Sequence, residues 1–355
     1  MNQKGSSSES RAGRLASWSV ILALVIFCFI YFSNFLQPIV VAIMIWYCVY
    51  ELKRILGKIK VKGVAMPRWM LTILAFLIIS LLSVGVYEII TLNLELIIKS
   101  FPIYVESFKS MVANLRMIDG FQEMQERIIG RLEEIDVKSI LSGLLNSMTN
   151  IAGNIFIIVI YVAFLLVEEK FFTKKLHLLV TDVNEQRDLD NMINQITRSI
   201  RNYISVKTQM SLLTGVLSYI LLILFKVDFP VLWAFLIFLL NFIPYIGSFF
   251  ATLFPAAFAL FQFQSFFMFL WVFLAIQAVQ LIIGNVLEPK IMGRTLNLSP
   301  LGVLLALTFW GVIWGVLGMI LSVPITSVMV IIFARFPATR FVAIWLSETG
   351  ELDNS

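Results

Sequence analysis

Charged side chains are scarce in this chain of 355 residues. Asp, Glu, Lys and Arg make up only 14% of it, whereas hydrophobic residues make up 59%, and the mean hydropathy is +0.91. A soluble fold could not bury so much apolar surface, so the composition excludes that class. It predicts an all-α, polytopic membrane protein.

Histidine and cysteine are almost absent. His177 is the only histidine, and the two cysteines, Cys28 and Cys48, lie inside apolar segments. A zinc site needs several such ligands together, and an isolated thiol in an apolar helix behaves as a small hydrophobe. There is also no Ser/His, Cys/His or phosphate-loop motif. We therefore predict no metal, no cofactor, no catalytic residues and no disulfide framework, so an enzyme is not expected.

The net charge of +5 does not indicate a nucleic-acid partner. Lys and Arg accumulate in the cytoplasmic loops of membrane proteins, where they fix orientation. Residues 53–62 (KRILGKIKVK) are basic and contain no acid. By the positive-inside rule this segment is expected in the cytoplasm, and the N-terminus with it. Arg335 and Arg340 are expected to place the C-terminus there too, with the lipid bilayer surrounding the apolar segments.

The uncharged stretch at residues 230–262 is too long for one membrane crossing. At about 1.5 Å per residue, a straight helix of this length would overshoot a hydrocarbon core of about 30 Å. Pro244 and Gly247 stand near its centre and favour two shorter helices that meet at a turn inside the membrane. Backbone opened at that depth must be buried in protein or face water. We therefore expect Asn241, Pro244, Tyr245 and Gly247 to form part of a solute site.

A second uncharged stretch, residues 300–334, repeats this design, with Gly311 and Gly315 near its centre. Each broken stretch follows a more ordinary apolar helix, at residues 209–226 and 265–287. Two copies of a helix followed by a broken helix are the best sequence pointer to the binding site of a transporter.

The link between the copies carries the charged residues Glu288, Lys290 and Arg294. If each broken stretch crossed the membrane once, this link would lie outside. Its two bases favour a cytoplasmic location, and hence two re-entrant hairpins of opposite orientation, the first opening outward and the second inward. The three charged residues could act as a gate or a helix-end anchor, or form only a solvated turn.

Hydropathy and charge divide the chain into six segments. Asn34 and Pro38 are expected to separate two helices of a tight hairpin, and a helix of about 30 residues is expected from Trp69. The segments are a cytoplasmic N-terminus with that first hairpin (1–68), the long membrane helix with external amphipathic helices (69–150), the fourth membrane helix with a cytoplasmic amphipathic helix (151–208), the first repeat (209–262), the second repeat (263–335) and a cytoplasmic tail (336–355).

Together these motifs resemble one family. The pattern NFIPYIGSFFATLFPA, then QLIIGNVLEPKIMGRTLNLSPLGVLLAL and a Gly-rich segment ending in SVPIT, is similar to the autoinducer-2 exporter (AI-2E) family of bacterial membrane proteins. The resemblance implies about eight membrane segments in a bacterial cytoplasmic (inner) membrane and export of a small polar solute such as the quorum-sensing furanone. It also implies an oligomer, expected to be a pentamer, with an elevator-like movement. Some relatives are described as sodium/proton antiporters.

The polar residues of the two repeats are mostly neutral. A cation/proton antiporter normally keeps an acid at mid-membrane. From residue 229 to 334 the only acid is Glu288, near the edge of the two-copy core. Amide side chains both donate and accept hydrogen bonds, as the hydroxyls and carbonyls of a sugar-like solute require. Gln277 and Gln280 are spaced to share a helix face, where they serve either the solute or interhelical bonding. The other expected solute contacts are Asn285 and Thr308, and Gly311 and Gly315 at the second hairpin tip, where backbone groups are freed.

We therefore expect a secondary exporter that works by alternating access of the two hairpins. One alternative is a monovalent cation/proton antiporter, coupled to a proton or sodium ion. The other is a non-transporting membrane partner or assembly factor.

Overall fold

The computed structural model describes residues 26–58, 66–114, 137–178, 182–293 and 297–351, with the single residues 20, 24 and 180. This part of the chain holds helices and turns and no strand. Six of its helices are long and apolar enough to cross a membrane, which confirms the predicted all-α, polytopic class. The helices are α1 (Ser33–Leu56), α2 (Arg68–Asn114), α3 (Val137–Leu178), α4 (Val183–Leu224), α5 (Pro230–Leu240), α6 (Ile246–Phe263), α7 (Phe266–Leu281), a π-helical turn (Ile282–Leu287), α8 (Glu288–Met292), α9 (Pro300–Arg335) and α10 (Arg340–Leu346).

The predicted break at Asn34 and Pro38 is wrong, because both residues lie inside α1. Proline lacks a backbone donor, but membrane helices tolerate it where neighbouring helices cover the freed group. Pro38 is indeed buried.

Helix α2 is also longer than predicted, at 47 residues, and it continues through Pro102. The first part of the expected external amphipathic segment, residues 99–114, is therefore the end of this helix. Residues 115–136 lie outside the described part of the chain. The predicted crossing at residues 150–167 is contained within α3, which begins earlier and ends at Leu178.

Helix α4 joins the predicted amphipathic helix and the following membrane helix without a break, as the sequence predicts. Asp182 caps its N-terminus by accepting a hydrogen bond from the backbone N–H of Asn184 at 2.7 Å. The helix has 42 residues, so it is about 60 Å long, twice the thickness of the hydrocarbon core. One half can span the membrane while the other extends beyond it.

The first broken stretch forms a hairpin of α5 and α6. Tyr245 turns the chain with a left-handed φ of 57°. Gly247 lies so close to the first arm that a Cβ on it would stand 1.8 Å from the carbonyl oxygen of Leu240. At the open end, the amide of Gln262 donates to the carbonyl of Lys226 at 2.9 Å and accepts from the N–H of Asp228 at 2.8 Å. The two ends of the hairpin are thus held together.

The second broken stretch is also a hairpin, although its two arms form one continuous element, α9. Gly315 has φ 62° and ψ −141°, which no helix accommodates. Across the tip, the indole N–H of Trp310 donates to the hydroxyl of Thr326 at 3.1 Å. Sixteen residues of straight helix would separate these groups by about 24 Å, so the chain folds back on itself. Gly318 repeats the role of Gly247, because a Cβ on it would lie 1.9 Å from the carbonyl oxygen of Trp310.

The two hairpins open at opposite ends of α4. The ends of the first hairpin meet the turn that follows Leu224. The ends of the second pack with Tyr203, in a cluster that also contains Leu298, Val330 and Ala343. More than twenty residues of helix separate these two places, which confirms the predicted inverted arrangement.

Gly247→Ala and Gly318→Ala are each expected to destabilise the protein, by roughly 3 kcal/mol or more, because the added methyl group collides with rigid backbone at a hairpin tip. Thermal unfolding of the purified protein in detergent measures this. Gly85→Ala is the matched control, since a Cβ there meets open space. Equal unfolding midpoints for all three variants would contradict the close approach at the tips.

Candidate functional site

One face of α4 carries buried polar side chains between the two hairpins. They are spaced three, four or eight residues apart, which places them along one stripe of the helix. A polar group buried without a partner is costly, so each must find one in the protein or in a ligand. The buried polar residues of this stripe are Ser199, Lys207, Ser211, Thr214 and Ser218.

The tip of the first hairpin is attached to this stripe through Asn241. Its amide Nδ2 donates to Ser211 Oγ at 3.1 Å, and both side chains are buried. Pro244 lies in the turn, half-buried, while the Tyr245 side chain is 54% exposed. Of the four residues predicted here, Asn241 and Gly247 therefore face the protein interior and Tyr245 faces away from it.

The second hairpin is attached to α4 near its open end, where Ser199 Oγ and Ser327 Oγ are 3.0 Å apart. Its tip instead packs on residues 26–31, a helical segment that precedes α1 and is called here the N-terminal helical segment. The indole N–H of Trp314 donates to the carbonyl of Phe29 at 3.3 Å, and the Phe29 ring meets Trp310 edge to face.

The residues predicted from the second stretch are dispersed. Thr308 is exposed, and its hydroxyl donates within its own helix to the carbonyl of Leu304 at 2.9 Å. Gly311 leaves room for the side chain of Met319, because a Cβ on it would lie 3.0 Å from Met319 Cγ. Gly315 is exposed and supplies the bend. These three residues shape the hairpin, and none of them joins the polar stripe of α4 through a hydrogen bond in the described contacts.

The two amides of α7 occupy different surroundings. Gln280 is only 4% exposed, and its Nε2 has no hydrogen-bond partner within the described structure. Gln277 is half-buried, and Asn285, in the π-helical turn, is exposed. On α4, the buried Ser218 hydroxyl likewise has no partner among the described residues. A neighbouring solute hydroxyl or carbonyl could satisfy such groups.

A buried ion pair connects the link to α4. Lys207 Nζ lies 2.7 Å from Glu288 Oε1, and the two side chains are 9% and 15% exposed. Glu288 directly follows the π-helical turn, a distortion frequent at functional sites. Lys290 is exposed, and Arg294 lies outside the described residues. Of the charged link residues that the structure describes, Glu288 is thus engaged by α4 and Lys290 is exposed.

Sequence reasoning missed Lys207. The available signal was that it is the only charged residue between positions 202 and 225, at the start of an apolar helix. It also lies four residues after Tyr203 and four before Ser211, on the face that proves to be buried.

Lys207→Met is expected to destabilise the protein by about 3 kcal/mol, because it leaves the Glu288 carboxylate buried and unpaired. The double variant Lys207→Met with Glu288→Gln should recover most of this loss in a thermal unfolding experiment. Lys175→Met is the matched control. Lys175 pairs with Glu168 at an exposed site, where such pairs contribute about 1 kcal/mol at most. A double variant no more stable than Lys207→Met alone would contradict the pairing.

Comparison with known proteins agrees with this architecture. The family model described as AI-2E family transporter matches residues 19–338. A candidate transport protein of Haemophilus influenzae is 30% identical over 291 residues, covering 80% of this chain and 83% of that protein. The AI-2 transport protein TqsA of Escherichia coli is 34% identical over 215 residues, which cover 60% of this chain and 61% of TqsA. The chain therefore belongs to the AI-2E transporter family and is a multi-pass bacterial membrane transporter.

Proposed function

We propose that this protein exports a small polar solute of the autoinducer-2 furanone type by alternating opening of its two hairpins. The observation that carries the proposal is the inverted pair of hairpins on one polar face of α4. Each hairpin can close one route to that face, and the two routes lead to opposite ends of the helix.

The neutral groups around α4 suit such a solute. A furanone with several hydroxyls needs partners that both donate and accept, and it carries no charge that would require an ion pair. Gln280 and Ser218 supply buried groups without partners among the described residues. Asn241 and Ser211 supply a third position, where a solute oxygen could replace the amide–hydroxyl bond between them. TqsA, a relative, is described as an AI-2 transport protein, which supports this solute class.

The attachments of the hairpins to α4 are weak enough for movement. The Asn241–Ser211 and Ser199–Ser327 bonds join neutral groups, and each bond of this kind contributes about 1 kcal/mol. Breaking one costs far less than breaking a buried ion pair. The hairpins can therefore release one at a time while Lys207 and Glu288 keep the link in place.

A monovalent cation/proton antiporter is the second candidate, and the Lys207–Glu288 pair is the observation that favours it. Glu288 is the only acid between residues 229 and 334, and its carboxylate is already neutralised by a resident cation at 2.7 Å. A sodium ion would have to displace the Lys207 ammonium. This exchange is a possible coupling step, but it needs a larger rearrangement than solute binding at the neutral groups.

The proposed orientation places the open end of the first hairpin outside the cell. If the basic segment 53–62 is cytoplasmic, α2 runs outward from Arg68. Near its far end, the Tyr104 hydroxyl donates to Asp228 at 2.7 Å, beside the ends of the first hairpin. Burial and this carboxylate raise the pKa of Tyr104, so the phenol stays protonated and remains a donor. The second hairpin then opens to the cytoplasm.

Cysteine labelling in intact cells tests this orientation. In a background with Cys28 and Cys48 replaced by serine, an impermeant maleimide should label Gln264→Cys, in the exposed turn after the first hairpin. Ser299→Cys, at the start of the second hairpin, should react only after the cells are permeabilised. Ready labelling of Ser299→Cys from outside would contradict the inverted topology.

Transport is tested with labelled autoinducer-2 furanone in inverted membrane vesicles. Protein-dependent accumulation should fall when the membrane is uncoupled. It should drop about tenfold in Asn241→Ala, because that change removes a buried amide worth about 1.4 kcal/mol. Asn191→Ala, at an exposed position of α4 away from the hairpins, should transport as the unaltered protein does.

If sealed, energised vesicles show no protein-dependent uptake, the furanone is excluded as solute. Sodium-dependent proton release, measured with a pH dye, would then support the antiporter instead. In that case Glu288→Gln should abolish the signal and Asn241→Ala should preserve it.

A further inference from the structure

A basic pocket lies between α1 and α4, away from the polar stripe described above. Its volume is about 460 Å³, and the residues that line it are Glu51, Arg54, Arg198, Arg201, Asn202 and Ser205. The lining thus combines three arginines with one glutamate.

The carboxylate holds two of the three arginines in place. Glu51 accepts from Arg201 Nε at 2.6 Å through one oxygen and lies 3.2 Å from Arg54 Nη2 through the other. Arg54 belongs to α1 and Arg201 to α4, so Glu51 bridges the two helices. Arg198 forms no ion pair within the described structure. The pocket therefore carries two positive charges that its own residues do not balance.

Aromatic residues indicate the depth of this pocket. Trp46, Tyr47 and Tyr50 lie in the preceding turns of α1, and Lys53 stands over the Tyr50 ring at 5.8 Å. Trp and Tyr concentrate at the level of lipid headgroups, with Lys and Arg just beyond them. The pocket thus opens where the hydrocarbon core ends and the phosphates of the bilayer begin.

We infer that this pocket binds a phosphate group, and its depth favours the phosphate of an anionic lipid headgroup over free phosphate in solution. Arginine forks match phosphate oxygens in pairs, and basic pockets between membrane helices suit such headgroups. The Nη groups of Arg201, together with Arg54 and Arg198, supply donors from both helices. The bound phosphate ties α1 to α4, the helix to which both hairpins are attached. This role is separate from solute transport.

The test uses the full-length protein, purified in detergent and freed of lipid, with phosphatidylglycerol as the probe. Native mass spectrometry counts bound lipid, and the thermal unfolding midpoint reports stabilisation. Phosphatidylglycerol should bind and stabilise, whereas phosphatidylcholine, which has no net charge, should bind at least tenfold more weakly. Arg198→Gln removes the unpaired guanidinium and should weaken phosphatidylglycerol binding about tenfold.

Arg187→Gln is the matched control, because Arg187 is an exposed arginine of the same helix outside the pocket. Its affinity for phosphatidylglycerol should be unchanged. Arg198→Lys keeps the charge but loses the planar fork, so an intermediate affinity is expected. Gel filtration confirms that each variant remains folded and uniform in size.

Equal losses in Arg198→Gln and Arg187→Gln would overturn the inference, since they would show general attraction to a basic surface. Unchanged binding in Arg198→Gln would overturn it too. Millimolar inorganic phosphate is the second arm of the test. If phosphate stabilises the protein through Arg198 while phosphatidylglycerol does not, the phosphate site stands and the lipid source is wrong.

Discussion

The constraint on which this structure depends is that a membrane offers no partner for free backbone groups. Breaking a helix at mid-membrane therefore requires that the opened backbone be covered by protein or face water. In the first hairpin, the side chain of Asn241 and the close approach of Gly247 to Leu240 seal the tip. In the second, Trp310 and Trp314 cover the tip and bond to Thr326 and Phe29. Protein contacts thus cover one side of each break, by different chemistry, while Tyr245 and Gly315 at the turning points stay exposed.

This difference between the tips has a consequence for how each hairpin is supported. The first tip lies against α4 through polar side chains, whereas the second is enclosed by large aromatic rings against the N-terminal helical segment. The two repeats share their backbone plan, with Tyr245 and Gly315 as the left-handed turning points. They do not share their contacts. In the proposed mechanism, the movement of one hairpin therefore need not mirror the movement of the other, even though the repeats are related by inversion.

Much of the fold follows from the sequence, because each relevant signal is local. Pro244 and Gly247 in an uncharged stretch require a break, and Gly311 and Gly315 indicate a second. The failures come from tertiary contacts that no local pattern reveals. The sequence around Pro38 predicts a helix end, yet Pro38 lies inside α1. Among the predicted site residues, Asn241 and Gln280 are buried where a solute could meet them. Thr308 and Asn285 are instead exposed. The elements that pack against a helix decide which of its faces is buried, and the local sequence does not show them.

Lys207 shows that the partner of a buried charge is equally hard to predict from the local sequence. Its position in the sequence indicates an expensive residue in an apolar helix, but only the fold shows that Glu288, 81 residues later, neutralises it at 2.7 Å. Lys207 lies on α4 between Ser199 and Ser211, the two residues to which the hairpins are attached. Strong ionic contact therefore holds the link, while weak neutral contacts hold the hairpins. In the proposed mechanism the two hairpins move over a fixed face. This ordering of strengths fits that proposal, because the opposite ordering would release the link before either hairpin opened.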